Sequence, residues 1–337
     1  MKIVKGLRGV KPCCMRSIVT IGTFDGIHKG HSRIIKRTVS EAKRRGRHAV
    51  VVTFNAHPAR ITREKETDMG ILTCIETKKR ILETIGVDVM IIISFNRNFA
   101  GISAETFVKK IIYEKLGAEK IIIGEDFHFG NNRKGDVAVL RLLGKKYGFK
   151  VSSVPMVKIH NEKVSSTKIR GFIAAGEIEK AGEMLGRKYT VTGKVIKGAQ
   201  IGKKIGFPTA NLSTGKGILL PEGVFEVSVV IENKVFTGMA NIGYRPTFNR
   251  GKSAAEECAK VNGSKKTNAF KPAFEVHIPD FSGNLYGKTI TVAFIRKIRL
   301  EKKFTNSFAL AEQIKKDIKN CSNVLPIKAA HVLYIGG

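Results

Sequence analysis

The sequence of 337 residues contains no tryptophan, and aromatic residues make up only 7% of it. It has no apolar run near the roughly 20 residues that a membrane-spanning helix needs, so we expect no membrane partner. Its five cysteines are an odd number without a CxxC pair, which argues against a disulfide framework and a structural zinc site. The first residues lack the apolar core of a signal peptide. These absences together predict a cytoplasmic location.

Acidic residues are also scarce, since 28 Asp and Glu stand against 60 Lys and Arg for a formal net charge of +32. The excess is even: residues 1–186 carry 35 basic and 18 acidic side chains, and residues 187–337 carry 25 and 10. A nucleic-acid surface needs basic residues clustered on one face, so we expect no specific nucleic-acid partner. Spread basicity still favours anionic small ligands such as nucleotides.

The length suggests two domains, and a hydrophobic content of 42% is enough to bury a core in each. In the first half, short apolar segments alternate with stretches of helical spacing, which is typical of parallel strands joined by helices. We therefore predict a doubly wound, Rossmann-like α/β domain over residues 1–186. The predicted strands are Ile18–Gly22, Ala49–Phe54, Val89–Phe95, Lys120–Gly124 and Val151–Val157, and the predicted helices are His31–Arg45 and Ser103–Leu116.

Beyond Gly186 the pattern changes to short apolar or alternating segments separated by Gly and Asn. The predicted strands here are Tyr189–Ile196, Gly223–Ile231, Val235–Ile242, Phe274–Ile278 and Thr289–Ile298. Such strands predict an antiparallel β-barrel over residues 187–321, closed off by a terminal helix at Phe304–Cys321. Residues 249–272 read as a long surface loop, and the tail 322–337 stays unassigned.

The first predicted strand is followed directly by a turn rich in glycine and histidine, Gly22-Thr23-Phe24-Asp25-Gly26-Ile27-His28-Lys29-Gly30-His31. Glycines let the backbone approach a phosphate, and the N-terminus of the next helix supplies free N–H groups. The alternative is an ordinary strand–helix turn with two surface histidines. The HxGH spacing resembles the HIGH-type signature of nucleotidyltransferases, which stabilise an α-phosphate during its transfer.

A second helix start carries hydroxyls and cations, Ser165-Ser166-Thr167-Lys168-Ile169-Arg170. By itself this is equally well a helix-capping sequence. Together with the HxGH turn, it resembles the second phosphate clamp of such enzymes. Two further loops, at 53–58 and 124–130, leave strand ends, and loops at the carboxyl edge of a parallel sheet converge on one crevice.

These motifs and those of the second half resemble the bacterial bifunctional riboflavin kinase/FAD synthetase family, in which a nucleotidyltransferase domain precedes a kinase barrel. Gly206-Phe207-Pro208-Thr209-Ala210-Asn211 resembles the PTAN kinase signature. The segments 241–248 and 274–277 follow it in the order of the family. The resemblance implies two consecutive Mg²⁺-dependent reactions with ATP as co-substrate, from riboflavin to FMN and from FMN to FAD.

For the kinase half, the resemblance implies that Glu275 is the general base on the ribityl 5′-hydroxyl of riboflavin. Thr209 and Asn211 would hold Mg²⁺ with hard oxygen ligands. The ATP- and flavin-binding residues that it implies here are Gly206, Pro208 and Arg245. Without the resemblance, Glu275 would be an ordinary strand carboxylate on a solvated face.

For the transferase half, it implies that His28 and His31 stabilise charge while the FMN phosphate attacks the ATP α-phosphate and pyrophosphate leaves. The implied phosphate-binding residues are Gly22, Phe24, Asp25, Gly26, Ser166, Thr167 and Arg170. The implied flavin-binding residues are Asn55, Asp126 and Phe127.

Two positions depart from the family pattern. Ala56 stands where proline is usual, which frees the loop that would place the flavin. Lys203 stands where arginine is usual, so the charge remains but the bidentate fork is lost. Three alternatives stay open: a kinase with a weakened transferase site, a flavin carrier without turnover, and a nucleic-acid-binding protein. The HxGH pair and Glu275 favour the bifunctional enzyme, and the sequence leaves the oligomeric state unknown.

Overall fold

The computed structural model describes residues 1–10, 16–55, 70–198, 200, 202, 205–243, 272–279, 281–302 and 304–321. Several sequence-based predictions lie outside the described residues. They concern Ala56, Lys203, Arg245, nearly all of the 249–272 segment and the 322–337 tail.

The first half forms a sheet of six parallel strands in the spatial order β1-β4-β3-β2-β5-β6. The strands are β1 (Lys2–Lys5), β2 (Ser17–Ile21), β3 (His48–Phe54), β4 (Val89–Ile93), β5 (Ala118–Gly124) and β6 (Lys150–Val154). Every residue of β2 and β4 is buried, as expected for a sheet covered on both faces. From β2 the chain adds β3 and β4 towards one edge of the sheet, and from β5 it adds β6 towards the other edge. The switch point, where sheets of this kind bind ligands, therefore lies between β2 and β5.

Helices cover both faces of this sheet. They are α1 (Lys29–Arg45), α2 (Ile75–Ile85), α3 (Arg97–Ala100), α4 (Ala104–Phe107), α5 (Val137–Tyr147), α6 (Ser166–Ala175) and α7 (Ile178–Leu185), and a small hairpin, β7 (Lys158–Ile159) with β8 (Glu162–Lys163), precedes α6. The predicted helix at His31–Arg45 is confirmed as α1. The predicted helix at Ser103–Leu116 is only partly right, because α4 passes into a π-helical segment at Val108–Tyr113, where Glu114 N bonds to Lys109 O.

The second half is a closed antiparallel barrel in the order β10-β13-β12-β11-β14-β9. Its strands are β9 (Tyr189–Ile196), β10 (Thr209–Thr214), β11 (Gly223–Ile231), β12 (Lys234–Gly243), β13 (Ala273–His277) and β14 (Thr289–Arg299), followed by helix α8 (Ser307–Asn320). The predicted barrel and terminal helix are confirmed. Strand β10, which was not predicted, closes the barrel between β9 and β13.

One apolar cluster joins the barrel interior to the first half. It contains Phe225 and Phe294 of the barrel together with Ile169 of α6, Leu185 of α7 and Leu72. The two halves therefore pack against each other around the end of α7. The domain boundary near Gly186 stays a prediction. Within the described part of the chain, no helix is both long enough and apolar enough to cross a bilayer.

Candidate active sites

The HxGH turn leads from β2, at the centre of the sheet, into α1. His28 is the N-cap residue of α1, and its Nδ1 accepts a hydrogen bond from the backbone N–H of His31 at 3.3 Å. The two imidazole rings are stacked, with their centroids 3.6 Å apart. Because Nδ1 of His28 is an acceptor, the neutral ring carries its proton on Nε2. The N-cap bond therefore leaves Nε2–H as the donor that can meet an anion.

Both histidines are poor bases in this environment. Burial, together with the nearby Arg187 cation, lowers the pKa of His28 to about 4, while Asp126 opposes the shift. Burial also places the pKa of His31 well below its usual value, with His28, Lys78 and Arg187 contributing. The pair is thus neutral at physiological pH. It offers hydrogen-bond donors rather than fixed charge to a phosphate.

The backbone of the turn is strained. Phe24 and Ile27 have φ angles of 45° and 38°, in the left-handed region that non-glycine residues avoid, and Gly26 has φ 86°. Ile27 is also fully buried, and a β-branched side chain tolerates this conformation poorly. Strain of this kind persists only where the surrounding structure holds it, which is common at functional sites.

Asp25 links this turn to the second predicted phosphate motif. Its carboxylate accepts hydrogen bonds from the backbone N–H groups of Leu72 and Thr73 at 3.0 and 3.1 Å, and it pairs with Arg170 at 2.5 Å. The Ser166 hydroxyl donates to the Asp25 carbonyl at 2.8 Å. The start of α6 therefore lies against the HxGH turn. Since Asp25 and Arg170 contact each other, both help to shape the site.

The remaining members of the predicted phosphate set lie on the same two segments. Thr167 is exposed in the first turn of α6. Gly22 follows β2 directly, and a Cβ there would lie 3.1 Å from the Phe24 ring. A side chain at Gly22 would thus press on the ring that makes an edge contact with His31 at 5.2 Å.

Lys78 of α2 also contacts the start of the HxGH turn, although no sequence motif predicts it. Its side chain is buried, and Nζ donates to the Thr23 carbonyl at 2.7 Å and to the Thr53 hydroxyl at 3.1 Å. Burial lowers the pKa of Lys78 to about 8, whereas Asp25 opposes this shift. Nothing in its local sequence distinguishes it from the other lysines, because its burial is set by packing.

The predicted flavin-side residues of the first half lie at the carboxyl ends of β3 and β5. The Asn55 side chain is exposed, and its Oδ1 accepts from the Phe95 N–H at 3.1 Å. Asp126 pairs with Lys163 of β8 at 2.8 Å. Phe127 stacks on Phe129 with ring centroids 5.5 Å apart. These ends flank the HxGH turn, as predicted for a crevice at the carboxyl edge.

In the barrel, sheet register brings the predicted kinase residues together. Asn211 of β10 lies opposite Glu275 of β13, and Glu275 lies opposite Asn241 of β12. Thr209 lies opposite His277 in the same way. Because directly opposite residues of an antiparallel pair share a face, these side chains form adjacent rows on one face of the barrel. The row through Glu275 carries one carboxylate flanked by two amides.

A cavity of about 210 Å³ lies over this face. Glu275, Thr209 and Asn241 line it, and the buried Asn241 Oδ1 has no hydrogen-bond partner within the described residues. His277 Nδ1 is 2.8 Å from the Pro208 carbonyl, which connects the ring to the PTAN segment. Gly206 lies just before that segment, with φ 87°. Asn241 begins the 241–248 segment but is not among the predicted site residues.

Helix α8 lines the opposite side of the cavity. Its buried Asp317 accepts from Arg299 Nε at 2.9 Å and pairs with Nη2 of the same guanidinium at 2.8 Å. Gln313 donates to the same carboxylate at 2.9 Å. The helix is thus fastened to the end of β14, where Arg299 also lines the cavity.

A Rossmann-like sheet with a stacked HxGH pair, followed by a barrel with a carboxylate and hydroxyl face, defines a two-domain nucleotide-dependent transferase. The FAD synthetase family model matches residues 11–168, and the riboflavin kinase model matches residues 185–325. The chain belongs to the family of bifunctional riboflavin kinase/FMN adenylyltransferases. The predicted bifunctional enzyme, with kinase and nucleotidyltransferase domains, is confirmed at this level.

Relatives carrying that name cover nearly the whole chain. The protein of Buchnera aphidicola subsp. Schizaphis graminum is 36% identical over 95% of this chain and 97% of its own length. The Escherichia coli K12 protein is 31% identical over 94% and 96%. A crystal structure described as a macrolide-efflux protein from Streptococcus pneumoniae superposes with a TM-score of 0.81 at 29% identity, covering 96% of this chain and 99% of that one. The two-domain fold is therefore shared over almost the entire length.

Proposed function

We propose that the two reactions of the family are divided between the two sites, with riboflavin phosphorylated on the barrel and FMN adenylylated at the HxGH turn. The observation that supports this division most directly is the placement of Glu275 and the His28–His31 pair in separate folds. Each site carries the group that its reaction needs: a carboxylate base in one and neutral hydrogen-bond donors in the other.

In the kinase site, Glu275 takes the proton of the riboflavin 5′-hydroxyl as that oxygen attacks the γ-phosphate of ATP. The flanking amides of Asn211 and Asn241 hold the reacting groups beside the carboxylate. Asn241 Oδ1, which has no partner among the described residues, is available to accept a hydrogen bond from a ligand hydroxyl. The cavity between this row and α8 would hold the flavin, and Gly206 and Pro208 lie on the segment proposed to contact ATP.

The donor set suits Mg²⁺ at Thr209 and Asn211. These residues are two apart on β10, so their oxygens lie on the same face of the strand. Hard, neutral oxygen ligands that leave positions for phosphate oxygens are typical of magnesium in phosphoryl transfer. When bound there, Mg²⁺ would neutralise the charge that develops on the phosphates.

In the transferase site, the phosphate of FMN attacks the α-phosphate of ATP and pyrophosphate leaves. No covalent enzyme intermediate is required, so positioning and electrostatic stabilisation supply the rate. His28 Nε2–H donates to an oxygen of the α-phosphate. The stacked ring of His31 holds the His28 ring in place. Ser166, Thr167 and the N-terminus of α6 hold the rest of the triphosphate.

The flavin of FMN would lie along the carboxyl ends of β3 and β5. Phe54, Phe95 and Phe99 form edge contacts at 5.4 to 6.0 Å beside Asn55. An aromatic surface next to an amide and to the Asp126 carboxylate suits a planar ring with polar edges. We also infer a cytoplasmic location, which rests on the cysteine pattern of the sequence.

The proposal is tested by incubating the purified protein with riboflavin, ATP and Mg²⁺ and separating the flavins over time. FMN should appear first and FAD second, and chelation of Mg²⁺ should stop both. Formation of FMN alone would support a kinase with a silent transferase site, and binding without any conversion would support a flavin carrier.

A further inference from the structure

Arg187 lies between α7 and β9, at the junction of the two halves. Its side chain is only 8% exposed. The guanidinium donates to the carbonyl oxygens of Gly26 at 2.5 Å and Ile27 at 3.1 Å, with a longer contact to Leu185 at 3.4 Å. A residue at the start of the barrel therefore binds the backbone of the HxGH turn.

This guanidinium has no carboxylate partner in the part of the chain that the structure describes. Within the described residues, the hydrogen-bond acceptors of Arg187 are carbonyls, and its buried Nε has no partner. The carboxylate of the turn, Asp25, is already occupied by Arg170 and two backbone N–H groups. Burying a cation without a carboxylate is costly. A contact that served only to join two domains would be made more favourably by apolar side chains.

The two carbonyls that Arg187 binds belong to left-handed residues directly before His28. Ile27 has φ 38° and Gly26 has φ 86°, and such backbone persists only where neighbouring groups fix it. The direction of the His28 ring depends on this backbone, because His28 is the N-cap and its Nδ1 is tied to the next turn. The two terminal nitrogens of the Arg187 guanidinium donate to the two carbonyls at the same time. The single ammonium group of a lysine cannot reproduce this planar, two-point geometry.

We propose that Arg187 is a positioning residue for the adenylyltransferase reaction: it fixes the Gly26–Ile27 backbone so that His28 keeps its donor orientation, without itself contacting substrate. This inference rests on the role proposed above for His28. It makes the transferase site dependent on a residue of the barrel's leading segment. The kinase site does not share that dependence.

The same cation acts on the histidines electrostatically. The charged groups around His28 are Arg187 and Lys163, which lower its pKa, and Asp126, which raises it. Around His31 they are Lys78 and Arg187, which both lower its pKa. Removing the charge of Arg187 should therefore raise the pKa of His28. The shift shows that the charge lies close to His28, whereas the positioning role itself is shown by a loss of kcat for FAD formation without a loss of FMN formation.

The test compares the full-length wild type with Arg187→Gln, Arg187→Lys and the adjacent control Lys188→Gln. Three quantities are measured: kcat and KM for FAD formation from FMN and ATP, the rate of FMN formation from riboflavin, and the His28 titration by NMR. Arg187→Gln should lower kcat for FAD formation roughly 10- to 100-fold, as expected for a displaced catalytic group, and raise the His28 pKa. FMN formation should stay within about twofold in the same variant, since the barrel row is intact.

Arg187→Lys should keep the His28 pKa near its wild-type value but recover the rate only in part, because lysine lacks the fork. Lys188→Gln should match the wild type.

A wild-type kcat for FAD formation in Arg187→Gln would overturn the proposal, as would equal loss of both activities with an unchanged His28 titration. If Arg187→Gln fails to fold, a wild-type kcat in Arg187→Lys would overturn it. Full FAD formation by His28→Asn would instead refute the role of His28 itself.

Discussion

In the first half of the chain, the histidine pair lies on a strained turn, whereas Glu275 of the second half lies within a regular strand. His28 is fixed by its N-cap bond and by burial, and the turn before it is bonded by residues of α2, of α6 and of the segment that leads into the barrel. Glu275 is fixed by the register of three neighbouring strands. One site thus depends on long-range packing and the other on local sheet geometry, so the two should respond differently to the same kind of change.

The difference extends to electrostatics. The histidines are kept neutral by burial and by surrounding cations, so in the proposed reaction they would meet anions as hydrogen-bond donors. The barrel face presents a carboxylate, two amides and a hydroxyl, and it would need a divalent cation to accept phosphates. The even +32 charge of the chain does not distinguish the two, since both halves are basic.

The largest effect is expected in the kinase site. Glu275→Gln should lower FMN formation by about 10³-fold, because it removes the general base while keeping size and polarity. Formation of FAD from supplied FMN should be unchanged. The control is Glu232→Gln, an exposed carboxylate of the same barrel paired with Lys288. Chromatographic flavin assays with each substrate read both steps, and equal loss of both would refute separate sites.

The next largest effect concerns the histidine pair. His28→Asn retains a good N-cap residue but removes the Nε2–H donor, so FAD formation should fall about 10²-fold or more. FMN formation should persist at the wild-type rate. The exposed His48→Asn, at the start of β3, is the matched control. An unchanged rate of FAD formation in His28→Asn would exclude His28 from catalysis.

Buried neutral histidine should also make stability depend on pH. The pKa of His28 is lowered from 6.5 to about 4 in the folded protein. The unfolded chain therefore binds the proton first, and stability present above pH 6.5 is lost as pH falls towards 4. The contribution of His28 between pH 7.5 and 4.5 is about 2 to 3 kcal/mol. Urea titrations should show a smaller loss for His28→Asn than for the wild type, and an equal loss would contradict the assignment.

A smaller effect is expected for the ion pair that holds helix α8 against the barrel. Asp317→Asn leaves Arg299 without its carboxylate and should cost roughly 2 kcal/mol, less than a fully enclosed pair because the Arg299 side chain is 22% exposed. The KM for riboflavin should rise, since the helix lines the cavity. Glu312→Gln of the same helix, a partly exposed carboxylate paired with Lys315, serves as control. A normal KM with loss of stability would show that α8 does not shape the flavin site.

The smallest expected effect is on the link between α6 and the turn. Ser166→Ala removes the hydroxyl that donates to the Asp25 carbonyl, and a net hydrogen bond is worth about 1 kcal/mol. The rate of FAD formation should fall about fivefold at low ATP, which corresponds to that energy. A steady-state titration with ATP measures it. No change would place Ser166 outside the triphosphate clamp.

Much of the fold could be predicted because continuous apolar segments and turn glycines carry strong local signals. Strand β2 and helix α1 were found in this way. Strand β1 was missed because Lys2–Lys5 is a four-residue edge strand with a lysine at each end. Strand β10 was missed because its sequence, TANLST, is largely polar.

Site residues that belong to a sequence motif could be predicted. Site residues that are placed only by packing could not. His28, His31 and the PTAN segment stand in recognisable spacings. Lys78 and Arg187 are two of 60 basic residues, and only the packing of α2 and of the domain junction buries them. The placement of Asn241 beside Glu275, with an oxygen that has no partner within the described part of the chain, depends on strand register, which the sequence does not specify.

The central claim, that two separate sites perform the two reactions, is tested most directly by complementation. Glu275→Gln and His28→Asn are assayed alone and mixed, with riboflavin, ATP and Mg²⁺. Alone, the first should form almost no FMN, and the second should accumulate FMN without FAD. Mixed, they should form FAD, because FMN released by one protein is adenylylated by the other. Absence of FAD from the mixture would contradict the account.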